Sequence, residues 1–376
     1  MQLTPAAHKS NSTGNLQPAI GRLRVYQSGT TIGRYTYFGF KVAVKQYFVQ
    51  RWFLLALAVV LAVGITQATD LARLSELKML RYGIVATVLF LMALPLDAGA
   101  MWKAMRRPWA PMLAVTINFG LLPLVAWGVS FGLSREMAGG LYVAAATPCT
   151  LASAAVWTRR AGGNDSVAIL VTVITNSICF LLTPLWLFAM TGERVEVAEL
   201  SLQNMSTKLA LLVVLPMTLA QLIRLIPGIG ESATRHKTPI GVLAQFGVLS
   251  MIFIGAIRTG IKLNGDDELA YHLLDIGLMI VAVLGIHLAM MVVGMVAAFY
   301  LGFPREDRIA VGIAGSQKTL MVGLQMGLEL GLSVLPIVVY HVGQLLLDTI
   351  IADRLRASAG RHPTAVVKAA SLKVDG

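Results

Sequence analysis

The sequence predicts an all-α polytopic membrane protein, with ten transmembrane helices in two inverted five-helix repeats and two broken helices that cross. Three observations carry this reading. Of 376 residues, 56% are hydrophobic and only 13% charged, with a mean hydropathy of +0.71, far too apolar for a soluble domain of this length. Ten apolar segments approach the ~20 residues needed to cross ~30 Å of hydrocarbon. The fourth and ninth of them carry polar residues, with a proline in the fourth and glycines in the ninth, where an uninterrupted span would have none.

The segments cover about 52–69, 79–98, 109–133, 137–158, 166–190, 209–226, 240–257, 273–301, 308–330 and 335–352. Their connections are short and leave no room for a separate soluble domain. Arg and Lys divide 22 to 8 between the two sides, with Lys318 inside a span, so the positive-inside rule puts both termini in the cytoplasm of a cell (inner) membrane protein. The net charge of +12 is dispersed over short loops and tails, a pattern that follows the lipid bilayer and argues against nucleic acid as a partner. Residues 1–50 contain six basic and no acidic side chains and no long apolar run; they read as a disordered cytoplasmic tail, neither signal peptide nor span. Residues 357–376 read as a second tail, leaving a transporter-like membrane domain over 51–356 with repeats at about 51–191 and 205–356. Cys149 and Cys179 both lie in apolar segments, which offers no disulfide framework and no metal-ligand spacing. They read as packing residues, and neither a metal nor a cofactor is expected.

Lys318 is the most informative residue. A lysine inside an apolar span costs at least ~2.5 kcal/mol on insertion scales and is kept where a partner or a wet cavity receives it. Gly312, Gly315, Ser316 and Gln317 before it weaken the helix and supply hydrogen-bonding groups. A helix interrupted in this way is the usual construction of a secondary transporter's binding site.

The repeat supports the interruption. Thr147-Pro148-Cys149-Thr150-Leu151 in span four resembles Ser316-Gln317-Lys318-Thr319-Leu320 in span nine, and 176–185 resembles 341–350. Two halves of five spans must enter the membrane in opposite senses. In the helices that follow, Thr172, Asn176, Cys179 and Thr183, and likewise His341, Gln344 and Asp348, are spaced three and four apart and so share a face. Asp348 is the expected partner of Lys318, since buried opposite charges relieve each other only when close. Gln344 and Thr183 read as packing hydrogen bonds, His287 as structural, and Gly323, Gly327 and Gly331 as a helix-packing face. The candidate substrate and ion site comprises Thr147, Pro148, Thr150, Ser153 and Asn176 from one half, and Ser316, Gln317, Lys318, Thr319, His341, Gln344 and Asp348 from the other.

Several separated stretches resemble one family in order: Gly315-Ser316-Gln317-Lys318-Thr319, Tyr340-His341 with Gln344, 303–308 before span nine, and Ala146-Thr147-Pro148 leading to 160–164. Over about 46–356 the chain resembles the SBF-like branch of the bile acid:sodium symporter family. The resemblance implies a core domain, a panel domain, and two unwound helices crossing at the substrate and ion site. It also implies a departure. The glutamate that helps to ligate sodium in sodium-coupled members is Ile313 here, the asparagine after the span-nine glutamine is Lys318, and the Ser-Asn pair of span four is Ser153-Ala154. Sodium needs several oxygen ligands, so sodium coupling is doubtful and a proton is the other candidate coupling ion.

The function expected is secondary active transport of a small organic solute, an anion being the favoured class. The alternative is a membrane regulator of ion (calcium) homeostasis that moves no solute. An enzyme is not expected, because no catalytic motif surrounds Ser316 and Lys318.

Overall fold

The structure, a computed structural model, describes residues 52–53, 55–191, 201–264 and 273–359. The tail over 1–50 and most of that over 357–376 lie outside these residues. The chain divides into two units, Met1–Trp52 and Phe53–Gly376, and every helix named below belongs to the second.

The described residues are helical with no strand. In order they form α1 (Leu55–Thr66), α2 (Ala72–Glu76), α3 (Lys78–Ala93), α4 (Ala98–Met105), α5 (Trp109–Ser130), α6 (Arg135–Ala146), α7 (Ser153–Arg160), α8 (Asp165–Thr191), α9 (Leu202–Arg224), α10 (Ile229–Arg235), α11 (Lys237–Asn264), α12 (Leu273–Tyr300), α13 (Arg305–Ser316), α14 (Leu320–Glu329) and α15 (Leu335–Ala359). Six of them, α5, α8, α9, α11, α12 and α15, are long and apolar enough to cross a membrane.

Proline chemistry shapes the helices around the site. α5 and α9 each contain a π turn, Ile117–Leu121 and Ala210–Val214, and each turn is followed by Leu-Pro. In α5 the Leu122 N–H reaches Ile117 O, five residues back. Pro123 has no N–H to give, so the Asn118 carbonyl is left without a helical donor. π turns of this kind recur at functional sites. In span four, α6 stops at Ala146 before Thr147-Pro148 and helix resumes at Ser153; in span nine, α13 stops at Ser316 and α14 starts at Leu320. α6 and α13 are 12 residues each.

Three of the site helices meet closely. α13 packs on α12 and α5, and the first of these crossings runs through glycine. A Cβ on Gly294 would sit 3.1 Å from Gly312 Cα and 3.2 Å from Val311 O. Helix association within a membrane depends on such close approach of backbones. Gly294→Leu is expected to push α12 from α13 and destabilise the protein by ~1–3 kcal/mol, the usual cost of overpacking, read as a lower unfolding midpoint in detergent. Gly323 and Gly327 play the same part against Ile337 of α15. Gly331 does not belong to that face: it lies beyond the end of α14 with φ +67°, a left-handed turn position that suits glycine.

At the far end of α14, Glu329 accepts from Lys208 of α9 and from Tyr82 of α3 at 3.0 Å. Nearby Lys262 of α11 bonds Glu136 of α6 at 2.8 Å. These contacts tie α6 and α14 to α3, α9 and α11.

Candidate substrate and ion site

The two non-helical links, 147–152 and 317–319, touch through Thr319 N–H donating to Pro148 O at 2.9 Å. Lines of polar side chains fasten them. Along α8, Thr172 donates to Thr150 O, Asn176 to Cys149 O, and Thr183 to Ala146 O, while Thr175 accepts from Cys149 N–H. Along α15, Gln344 holds both the N–H and the carbonyl of Lys318 at 2.9 Å, and Tyr340 donates to Ser316 O. These bonds answer the requirement that buried irregular backbone be satisfied from within the protein. Of the stripes read from sequence, Thr172, Asn176, Thr183 and Gln344 thus hold backbone; His341, half-buried, meets Gln344 at 3.0 Å.

Lys318 is 2% exposed. Its ammonium donates to Asn118 O at 2.7 Å, Asn118 Oδ1 at 3.2 Å and Thr147 O at 2.8 Å, and lies 5.2 Å from the centroid of the Phe119 ring. All three N–H groups have an oxygen. Two acceptors are backbone carbonyls freed for the purpose, Asn118 O by Pro123 and Thr147 O by the end of α6, where the helix dipole is negative. The Asn118 amide also donates to Ala314 O, Gly315 O and Gln317 O, capping α13. Asn118 is absent from the site read by sequence. Its signal was present: an amide inside an apolar span, five residues before a proline.

The expected Lys318–Asp348 pair does not form. Asp348 Oδ1 lies 3.0 Å from His287 Nε2, and Oδ2 accepts from the Gln317 side-chain amide. The reason is geometric: Gln317 and Lys318 are consecutive in an extended link, Gln317 φ −78° and ψ 143°, so their side chains leave on opposite sides. Gln317 turns to α15 and Lys318 to α5. His287, read as structural, bridges Asp348 and Ser316 O, the latter at 3.2 Å from Nδ1.

Gln317 joins the halves. Its Oε1 accepts from Thr150 at 2.7 Å and Ser153 at 3.0 Å, and these hydroxyls are themselves 2.6 Å apart. Ser153 is partly exposed and Ala152 exposed, so the buried network reaches the surface of the fold at this cluster, as it does at His341. Two other predicted hydroxyls turn to their own helices, Thr147 Oγ1 to Ala144 O and Ser316 Oγ to Ile313 O, and Thr319 takes part through its backbone N–H. Ile313 is buried with Ala161, Met291, Ile309 and Ala352, an apolar environment. A groove of about 460 Å³ between α3 and α11, over Gly83, Val88, Phe246 and Gly247, lies away from all of these residues.

Residues 51–357 match the family described as the SBF-like CPA transporter family. The chain belongs to that family. Similar proteins include "Sodium/bile acid cotransporter 7" of Danio rerio, 24% identical over 75% of this chain and 86% of the relative. "Putative symporter YfeH" of Escherichia coli K12 is 29% identical over 69% and 76%. "Uncharacterized sodium-dependent transporter YocS" of Bacillus subtilis is 26% identical over 70% and 79%. Family membership and six membrane-length helices make this SBF-like protein a multi-pass membrane transporter, and nothing in the family or its relatives' names indicates an enzyme.

Proposed function

We propose that this protein is a secondary active transporter of a small organic anion, working by alternating access, with its site where the interrupted spans four and nine cross. The observation that carries the reading is Lys318: a buried ammonium held by oxygens from two elements at the junction of two non-helical links. Intramembrane charges mark substrate and ion pathways, and discontinuous helices supply the backbone groups for them. In this reading α6 with α7, and α13 with α14, are the two broken helices of ten spans. The starts of α6 and α13 at Arg135 and Arg305, and of α8 and α15 at Asp165 and Leu335, are each 170 positions apart, as two repeats require. The anionic class is supported by the relatives named for bile acid and by the N-terminal ends of α7 and α14, which begin at the crossing and carry positive dipole ends. Both termini are assigned to the cytoplasm of an inner-membrane protein by the distribution of Arg and Lys.

The ammonium stands in for a bound monovalent cation. It takes three oxygens that an ion would need, while Ile313 and Ala154 offer none. Sodium is therefore not the coupling ion of this chain, although relatives carry sodium in their names. In proteoliposomes loaded for counterflow of an anionic bile salt, replacing sodium by choline at constant ionic strength is expected to change uptake by less than about twofold, whereas with a working sodium site the replacement would cost the ~5–150-fold typical of coupled ligands. Strong saturable sodium dependence refutes the substitution. No uptake under either salt refutes transport of this solute class.

A further inference from the structure

With sodium removed, a transporter needs another source of coupling, and the donor count around His287 points to one. Both neighbours of the imidazole are acceptors: Ser316 O lies 3.2 Å from Nδ1 and Asp348 Oδ1 lies 3.0 Å from Nε2. A neutral imidazole has one N–H. If that hydrogen faces Ser316 O, the bare Nε2 faces the carboxyl and only a protonated Asp348 can meet it. If it faces Asp348, the bare Nδ1 faces a carbonyl. Both contacts are satisfied only by a doubly protonated ring beside a carboxylate, or by a neutral ring beside a carboxylic acid. The two descriptions contain the same number of protons, one more than a neutral histidine beside an ionised aspartate, and the proton belongs to the pair.

We propose that the His287–Asp348 pair is a proton-binding site, and that its occupancy controls binding of the anionic solute at the Lys318 crossing; the second clause rests on the transport reading above. The pair is buried, with side chains 1% and 0% exposed, so a missing proton would leave two acceptors facing each other without water. Gln317 carries the state of the pair to the surface: its amide donates to Asp348 Oδ2 and its oxygen accepts from Thr150 and Ser153, the latter partly exposed at the start of α7. Among the described residues the other titratable groups that face the pair are Cys149 from the first link and Tyr340 and His341 from α15; Lys318, next to Gln317 in the second link, points the other way, to α5. Tyr340 and Cys149 are ordinarily neutral at pH 7 and His341 is a second imidazole able to take a proton, which leaves Lys318 as the one lysine at the crossing.

The charge balance gives coupling its direction. With the proton bound, the pair is neutral overall and Lys318 is the uncompensated positive charge of the crossing. When one proton leaves, the pair becomes an anion and the crossing is neutral. An anionic solute therefore binds the protonated form more tightly, and by linkage the solute tightens proton binding to the same degree. One proton and one monovalent anion enter together, with no net charge moved.

Two measurements test this, one of them independent of transport. Infrared difference spectra of the purified full chain between acidic and alkaline buffer are expected to show a buried titrating signal that is lost in Asp348→Asn and altered in His287→Gln, but retained in Asp353→Asn, whose carboxylate is exposed. In proteoliposomes, uptake of taurocholate as the anionic probe is expected to rise about tenfold with an inward proton gradient, and Asp348→Asn and His287→Gln are expected to lose that response. Should Asp348→Asn not fold, His287→Gln supplies the same readouts. A titrating signal that survives unchanged in folded Asp348→Asn, or wild-type uptake indifferent to the gradient, overturns the proton site. Wild-type protein that takes up no taurocholate overturns the transport reading for that solute and leaves the infrared result to decide the proton site alone.

Discussion

Lys318→Met is expected to abolish uptake and to destabilise the protein by several kcal/mol, whereas Lys318→Gln abolishes uptake with a smaller loss. The difference follows from the oxygens left behind. Methionine donates nothing, so Asn118 O, Asn118 Oδ1 and Thr147 O lose their shared donor at ~1–3 kcal/mol for each buried acceptor left unsatisfied. Glutamine keeps two N–H donors and a similar length, so it replaces part of what the ammonium supplies without its charge. Adding Asp348→Asn to Lys318→Gln is not expected to restore transport, because the carboxylate is held by His287 and Gln317 and not by the lysine. Uptake assays on detergent-stable variants, with unfolding midpoints measured in parallel, separate these outcomes. Wild-type uptake in folded Lys318→Gln would remove Lys318 from the site.

Gln317→Leu carries the second large effect. Among the described residues this side chain alone bonds both the first link and Asp348, accepting from Thr150 and Ser153 while donating to the carboxylate. Leucine leaves the buried Thr150 hydroxyl and one carboxylate oxygen without those partners, at ~1–3 kcal/mol for the neutral group and more for the charged one. The first link then loses its tie to Asp348, although Lys318 and Asn118 still join the halves, and uptake is expected to fall to background. Thr150→Ser keeps the hydroxyl, and is expected to retain both folding and uptake. Comparing the two variants by unfolding midpoint and by flux distinguishes loss of the bridge from general damage, because general damage to the link would affect both.

Much of this protein was legible in its sequence. Composition and hydrophobic run length are local properties, and a bilayer leaves little choice but helix for such runs, so the membrane class and the all-helical fold followed directly, six of the described helices being long and apolar enough to cross. Pro148 before the helix restart, and the Gly-Ser-Gln run before Lys318, marked where helices stop, because a missing N–H or a missing Cβ acts on its own turn. The helical spacing of Thr172, Asn176 and Thr183, and of His341, Gln344 and Asp348, correctly put each set on one face. Lys318 stood out for the same reason, since its cost is set by the apolar segment around it and not by its neighbours in space.

Tertiary structure alone decided who meets whom. Spacing along one helix defines a face but carries no information about which distant helix lies opposite. Lys318 pairs with Asn118 because Pro123 frees a carbonyl on α5 and the extended link sends consecutive side chains opposite ways. The same alternation gave Asp348 to Gln317, while its other partner, His287, lies on α12 among mostly apolar neighbours in sequence. Gly331 was grouped with Gly323 and Gly327 by spacing, yet the helix had already ended at Glu329, and only the positive φ of the turn shows its purpose. Charge opposition suggested one lysine–aspartate pair; the folded chain instead satisfied the ammonium with neutral oxygens and the carboxylate with a histidine and an amide, since hydrogen-bond geometry at short range discriminates among partners where charge alone does not.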